Sequence, residues 1–311
     1  MTAIREAFGK ALVTLGEKNK DVVVLDADLG SSTKVTYFAE RFPERFIQCG
    51  VAEQNMIGVA AGLAASGKIP FVASFAVFVT RRTADQVAVS VAYPGLNVKI
   101  IGAYTGLFNG RTGASHMAVE DISLMRAIPG IIIIDPADAK EMECAVDAIA
   151  EYKGPAYLRE TRDEWPDVFT DGCDFKIGKA SRVREGGDAS IISSGVMTSV
   201  AIKAYDILKK DSIEARVINM STIKPLDKEA VIEAAKETGA VVTAENHNIY
   251  GGLGSAVCEV LGENYPVPIK RIGIKDTLNE AGTNEELLEK YGMSATNIVE
   301  AVKKVIARKN N

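Results

Sequence analysis

Glu53 is a carboxylate set where a strand runs into a helix of small residues. The segment Cys49-Gly50-Val51-Ala52-Glu53-Gln54-Asn55-Met56 follows an apolar strand at 46–49 and leads into Ile57-Gly58-Val59-Ala60-Ala61-Gly62-Leu63-Ala64. Such a carboxyl is expected to be buried, and burying it unpaired is costly. It must keep its proton or find a strong hydrogen-bonding partner. Held that way, it can exchange a hydrogen bond with a heteroaromatic nitrogen of a ligand; the plainer role is an interaction with the helix dipole. Phe75 and Phe78, three apart after a strand, can present their rings at the carboxyl edge of a sheet, where open α/β sheets bind ligands, or can belong to the core. His116, one of two histidines, lies in the continuation of the glycine-rich loop 106–113, where it can shuttle protons or serve structure.

The elements that must position these residues read as alternating strands and helices. Near-continuous apolar runs at 22–25, 46–49, 70–74, 98–102, 131–134 and 156–158 suit parallel strands covered on both faces. Between them, Ile4/Ala7/Phe8/Ala11/Leu12/Leu15 and Met142/Ala145/Val146/Ile149 keep helical spacing. A polar stretch rich in turn formers, Arg162-Asp163-Glu164-Trp165-Pro166-Asp167 and Asp171-Gly172-Cys173-Asp174, breaks the pattern. After the turn Arg184-Glu185-Gly186-Gly187-Asp188, strands recur at 189–193, 214–218, 240–244 and 267–272. A last helix begins near Ser294 with an apolar face of Ile298, Val302, Val305 and Ile306. The βαβα order implies parallel sheets with right-handed crossovers, in domains at about 1–165 and 185–311 joined by a linker at 166–184.

The 311 residues suffice for two cores, and 47% hydrophobic with 25% charged residues is ordinary for a soluble globular protein. A net charge of −5 without a basic cluster argues against nucleic-acid or membrane-surface binding. Met1-Thr2-Ala3-Ile4-Arg5-Glu6 opens an amphipathic helix rather than a signal peptide, and no apolar run approaches membrane-spanning length. Cys49, Cys144, Cys173 and Cys258 are scattered, as for buried thiols in a reducing cytoplasm.

Val51-Ala52-Glu53-Gln54-Asn55-Met56 and Gly67-Lys68-Ile69-Pro70-Phe71-Val72-Ala73-Ser74-Phe75-Ala76-Val77-Phe78 resemble the pyrimidine-binding domain of transketolases. Leu25-Asp26-Ala27-Asp28-Leu29, Ser115-His116-Met117, Asp135-Pro136-Ala137-Asp138-Ala139, and Glu245-Asn246-His247 through Gly251–Val257 match in the family's order, so the resemblance covers most of the chain. The nearest subgroup is the C-terminal subunit of transketolases split over two chains. The resemblance implies an α/β fold of two parallel-sheet, three-layer domains, the thiamine-diphosphate pyrimidine-binding domain and the transketolase C-terminal domain.

It also implies site roles. Glu53 matches the glutamate that hydrogen-bonds the aminopyrimidine of thiamine diphosphate, favouring the tautomer that takes the thiazolium proton. By resemblance Phe78 stacks on the pyrimidine, Phe75 helps form its pocket, and Asp28 lies near the cofactor, although helix capping by Asp28 or residues 31–33 stays open. His116 matches a histidine that contacts substrate hydroxyls and moves protons. Arg5, Ser32 and Arg159 match positions that bind the substrate phosphate. The chain departs from the family at Tyr104, in place of a substrate-contacting histidine, and at Thr112, in place of the aspartate that recognises the sugar's C2 hydroxyl. It departs also at Arg111, in place of an acid, and at the pair Arg81-Arg82 after Phe78.

The family's diphosphate and metal motif, Gly-Asp-Gly followed by an Asn, is missing from this sequence. The resemblance therefore implies a separate N-terminal subunit carrying the diphosphate and Mg²⁺ ligands, in an α₂β₂ assembly that acts on sugar phosphates. The turn Gly251-Gly252-Leu253-Gly254 can hold phosphate, yet the family's second domain, with His247, is structural. Alternatives are the β subunit of a 2-oxo acid dehydrogenase decarboxylase, a 1-deoxyxylulose-5-phosphate synthase-like enzyme, and a non-catalytic assembly subunit.

Overall fold

The computed structural model describes residues 2–109, 112–170 and 173–309. In chain order the strands are β1 (Val22–Asp26), β2 (Phe46–Gln48), β3 (Ile69–Phe75), β4 (Lys99–Ala103), β5 (Ile132–Ile134) and β6 (Ala156–Glu160). They continue as β7 (Ser181–Arg184), β8 (Ala189–Ser193), β9 (Ala215–Asn219), β10 (Thr222–Lys224), β11 (Val241–Asn248) and β12 (Ile269–Ile274). They form a seven-stranded sheet, β10-β5-β6-β4-β3-β1-β2, and a five-stranded sheet, β12-β11-β8-β9-β7. Every pairing is parallel except β10 with β5 and β7 with β9. Eight of the apolar runs form inner strands, covered on both faces, while β2 and β12 lie at sheet edges and are partly exposed. Helix Ile4–Lys18 buries Ile4, Phe8, Leu12 and Leu15, sharing one core with Met142, Ala145, Val146 and Ile149 of helix Ala139–Glu151. On the opposite face, helix Glu53–Ala65 buries Met56, Ile57, Ala60 and Ala61. Each sheet is thus the middle of three layers, as the alternation implies. The last helix, Ala295–Lys309, buries Ile298, Val302 and Val305 as its stripe predicts.

Strand β10 departs from the expected separation by chain order. It comes from beyond the break, yet it lies against β5 in the first sheet, with Thr222 opposite Ile134 and Lys224 opposite Ile133. The Lys224 ammonium donates to the carbonyls of Arg126 and Ile128, fastening the strand to the end of a helix. The four cysteines are free and half-buried rather than fully buried. Among the described residues no helix is long and apolar enough to cross a membrane.

Buried polar groups join the two sheets. Arg159, 1% exposed at the end of β6, donates to both oxygens of Asp121, to Asp135 at 2.9 Å, and to the carbonyl of Asn246 on β11 at 3.0 Å. Ser194, after β8, donates to Asp135 at 2.8 Å. Burial pushes the Asp121 carboxyl up, but the Arg159 charge, helped by His247 and Tyr157, outweighs this and holds it below the usual range. Nearby, Glu141 accepts from Ala137 N–H, Asn219 and Ser221 across the junction, and burial pushes its carboxyl up to about 7.

Arg159→Met leaves two buried carboxylates without their cation and is expected to cost about 3–5 kcal/mol in urea unfolding. For Glu141, a folded pKa above the unfolded one means that its stabilisation is full below about pH 4.5 and lost as pH rises through about 7. The destabilisation by Glu141→Gln, measured across that window, is therefore expected to shrink by about 2–3 kcal/mol between pH 4.5 and 8.

Candidate active site

Glu53 is the first residue of its helix and is 4% exposed. Of the two ways to bury a carboxylate, the fold takes the second: Arg82 Nη1 donates to Oε1 at 3.0 Å and to Oε2 at 3.1 Å. The same guanidinium lies over the Phe78 ring, 4.1 Å from its centroid. Phe78 begins a small aromatic nest at the carboxyl edge of β3 and β4. Phe75 stacks on it at 5.8 Å between centroids, Tyr104 lies 4.2 Å from Phe75, and His116 sets its ring edge-on to Phe75 at 5.8 Å and Phe78 at 5.4 Å. The charges of Arg81 and Arg82 are both met, since Arg81 pairs with Glu120.

The loops around the nest are pinned by polar side chains that sequence reasoning did not single out. Asp26, at the end of β1, accepts from the N–H groups of Leu29 and Gly30, so it caps the short helix Gly30–Thr33 in place of Asp28 or the serines. Gln48 donates to Asp26 and accepts from the N–H of Asp28 and of Gly50, tying β1 to the loop that feeds Glu53. Asp28 is thereby left exposed, in left-handed backbone with φ 63°. Tyr104 also has φ 63°, a strained geometry for an aromatic residue that belongs at ligand sites more than in ordinary loops. The chain after it is held from the other sheet: Asn246 accepts from Leu107 N–H at 2.9 Å and donates to the Thr105 carbonyl at 3.2 Å. Gly106 is required there, because its φ is +66° and a Cβ would lie 2.1 Å from the Asn246 side chain.

A corner holding two arginines, with Asp163 and Glu285 beside them, adjoins the nest. Arg5 donates to the Tyr104 hydroxyl at 2.9 Å and to the Ser32 carbonyl at 3.4 Å, while its Nε is buried without a partner among the described residues. The Arg162 guanidinium also lies over Tyr104, 5.3 Å from the ring centroid. Arg5, Asn109, Arg162 and Asp163 line a cavity of about 380 Å³ with Thr283 and Asn284. Arg159 is not part of this corner. Its donors are spent on Asp121, Asp135 and Asn246, so Arg159, expected at a substrate phosphate, is turned away from this cavity, and the half-buried Arg162 three residues on lines it instead. Thr112 is exposed and bonds Asn109, whose amide donates to the His116 carbonyl. His116 is half-buried, with Nδ1 2.8 Å from Ser115 Oγ. Arg111 lies outside the described residues.

The second histidine has no opening to a ligand. His247 is fully buried, with Nδ1 donating to the Asn248 carbonyl and Nε2 near Ser123, and burial lowers its pKa against the pull of Asp121. Phosphate has no room at Gly251–Gly254 either. Glu245 accepts from the N–H groups of Leu253 and Gly254, and a Cβ on Gly252 would lie 2.0 Å from it. A roomier cavity of about 530 Å³ beside Ser123, Arg126 and Lys224 offers little chemistry, because Arg126 pairs with Glu259 and Lys224 with carbonyls. Among the described residues no group of three or more His, Cys, Asp or Glu side chains is placed to hold a metal ion.

Phe75 and Phe78 divide between packing and access. Phe75 is 6% exposed and Phe78 only partly buried. Phe75→Ala is expected to cost about 3–4 kcal/mol in chemical denaturation, and Phe78→Ala less than about 2 kcal/mol.

Residues 1–167 match the transketolase pyrimidine-binding domain, and residues 178–298 the transketolase C-terminal domain. Over 307 residues the chain is 46% identical to a 6-deoxy-6-sulfo-D-fructose transketolase subunit of Clostridium sp. (strain MSTE9), covering 99% of this chain and 95% of that one. It is 40% identical over 299 residues to an apulose-4-phosphate transketolase subunit of Phocaeicola vulgatus, covering 96% of each. A solved split-gene transketolase, an inactive β₄ tetramer, superposes with a TM-score of 0.90 at 47% identity, over 99% of both chains. The chain belongs to the transketolase family and is of the kind found as one subunit of a split enzyme.

Proposed function

We propose that this chain is the pyrimidine-binding subunit of a thiamine-diphosphate-dependent transketolase that moves a two-carbon ketol unit from a ketose to an aldose phosphate. The observation that carries the reading is a buried carboxyl and an aromatic face, Glu53 and Phe78, meeting at one planar group beside His116. When bound, thiamine diphosphate supplies the electron sink for breaking the ketose carbon–carbon bond. Glu53 holds the aminopyrimidine by a hydrogen bond to a ring nitrogen, and its burial keeps water from competing. Phe78, backed by Phe75, lies against the ring, and Asp28 stands beside the cofactor. His116, oriented by Ser115, moves a proton at the substrate hydroxyl. The diphosphate and Mg²⁺ ligands belong to a separate N-terminal subunit in an α₂β₂ assembly, and free cysteines fit a reducing cytoplasm.

The donor is a ketose with a terminal anion. Arg5, with its unpartnered Nε, and Arg162 both lie by the Tyr104 ring and, with Ser32, hold a phosphate or a sulfonate. The Tyr104 hydroxyl accepts from Arg5, so it orients this clamp and keeps its own hydrogen to donate to a substrate oxygen. Thr112, bonded to Asn109, replaces the acid that recognises the C2 hydroxyl, which shifts discrimination toward the terminal anion.

The test is donor cleavage by this chain alone and mixed with its N-terminal partner, with thiamine diphosphate and Mg²⁺, on ketose phosphates, 6-deoxy-6-sulfo-D-fructose and 2-oxo acids. Turnover is expected with an anionic ketose and only in the mixture. Glu53→Gln is expected to lower kcat about 100-fold or more, and Arg162→Ala to raise KM about tenfold or more with a smaller change in kcat. Turnover of a 2-oxo acid in place of a ketose would assign the chain to the decarboxylase β subunits. Unchanged turnover in Glu53→Gln would make it a non-catalytic assembly subunit.

A further inference from the structure

Arg82 meets the two groups that a pyrimidine would need, and it meets both at once. Its guanidinium is flat, lies 4.1 Å from the Phe78 ring centroid, and bonds both Glu53 oxygens through Nη1. A planar, delocalised group stacked on an aromatic face and donating in its plane to a buried carboxylate has the same recognition chemistry as an aminopyrimidine. Its backbone is fixed: Gln54, next to Glu53, donates from Nε2 to the Arg82 carbonyl at 2.8 Å, and the preceding Arg81 is paired with Glu120. Its side chain, by contrast, is 49% exposed and can turn into water while the backbone stays in place.

We infer that Arg82 is a placeholder for the aminopyrimidine, covering Phe78 and pairing Glu53 until the cofactor displaces it. The inference rests on the proposed roles of Glu53 and Phe78. Without such a group, the cofactor-free subunit would hold a buried carboxylate facing an open pocket, which is costly. With it, Glu53 is paired and Phe78 is covered, and cofactor binding competes with a half-exposed ion pair. The displaced guanidinium regains its hydration at the pocket mouth.

The measurement is thiamine diphosphate binding to the reconstituted two-subunit complex with Mg²⁺, followed by calorimetry. Arg82→Ala is expected to tighten binding about three- to tenfold while lowering the melting temperature of the free subunit. Arg82→Lys, which keeps the charge and loses the plane, is expected to fall between. Unchanged or weaker binding in Arg82→Ala would overturn the inference. So would a cofactor-bound crystal structure with Arg82 still on Glu53 and Phe78. Glu53→Gln and Phe78→Ala separate the two claims. If neither weakens binding, the pyrimidine reading itself fails; if both weaken it and Arg82→Ala does not tighten it, only the placeholder fails.

Discussion

Arg159 is the cation on which the junction depends. A guanidinium with 1% exposure survives only if nearly every donor has a partner, and its partners come from both sheets: Asp121 and Asp135 beside the first, the Asn246 carbonyl from the second. The geometry it imposes reaches the candidate site in two steps. With its carbonyl held by Arg159, Asn246 presents its amide to the chain after Tyr104, gripping Thr105 and Leu107. The second sheet therefore sets the loop that positions Tyr104, and through Tyr104 the pose of Arg5. The second domain thus shapes the candidate site from a distance, by fixing where a strained backbone turn can sit, as well as lining its cavity with Thr283 and Asn284.

The fold class and the centre of the site were legible in the sequence for physical reasons. Strands covered on both faces are near-continuously apolar, and all eight inner strands lie in such runs, as do the edge strands β2 and β12. The two missed, β7 and β10, are short and antiparallel, and β10 depends on a partner, β5, about ninety residues earlier in the chain. Glu53 was legible because a carboxylate before a small-residue helix has nowhere exposed to go. Its partner was not, since Arg82 reaches it across a turn from another helix. Arg159 and Arg162 illustrate the limit best. They lie three apart around the end of one strand, Arg159 inside it and enclosed, Arg162 just beyond it and facing the cavity, a difference that depends on where the strand stops. The cap at Gly30, left open in the sequence to Asp28 or residues 31–33, comes from Asp26 at the end of β1.

The candidate site is rigid in its frame and adjustable in its contents. Asp26, Gln48 and Asn246 form a polar scaffold that fixes three loops, and the aromatic nest fills the space between them. Left-handed backbone at Asp28 and Tyr104 is held by that scaffold at a cost of about 1–3 kcal/mol each. The side chains that reach solvent, Arg82, Arg162 and Thr112, are the ones free to move. Preorganised walls with mobile polar groups suit an enzyme that must accept a cofactor and two sugars in turn.

The strand β10 has a consequence for the solution behaviour of the chain. The Ile132–Ile134 edge it covers is short, apolar and otherwise open along its hydrogen-bonding side. Such an edge is a template for strand addition by another molecule, and natural sheets shield it with charge, a bulge or a covering segment. Here the cover is lent by the chain of the other sheet, with Lys224 at its end. A pyrimidine-binding half cut free of that segment would carry a sticky isoleucine edge and tend to self-associate, so the boundary between the two halves is a boundary of sequence more than of solubility.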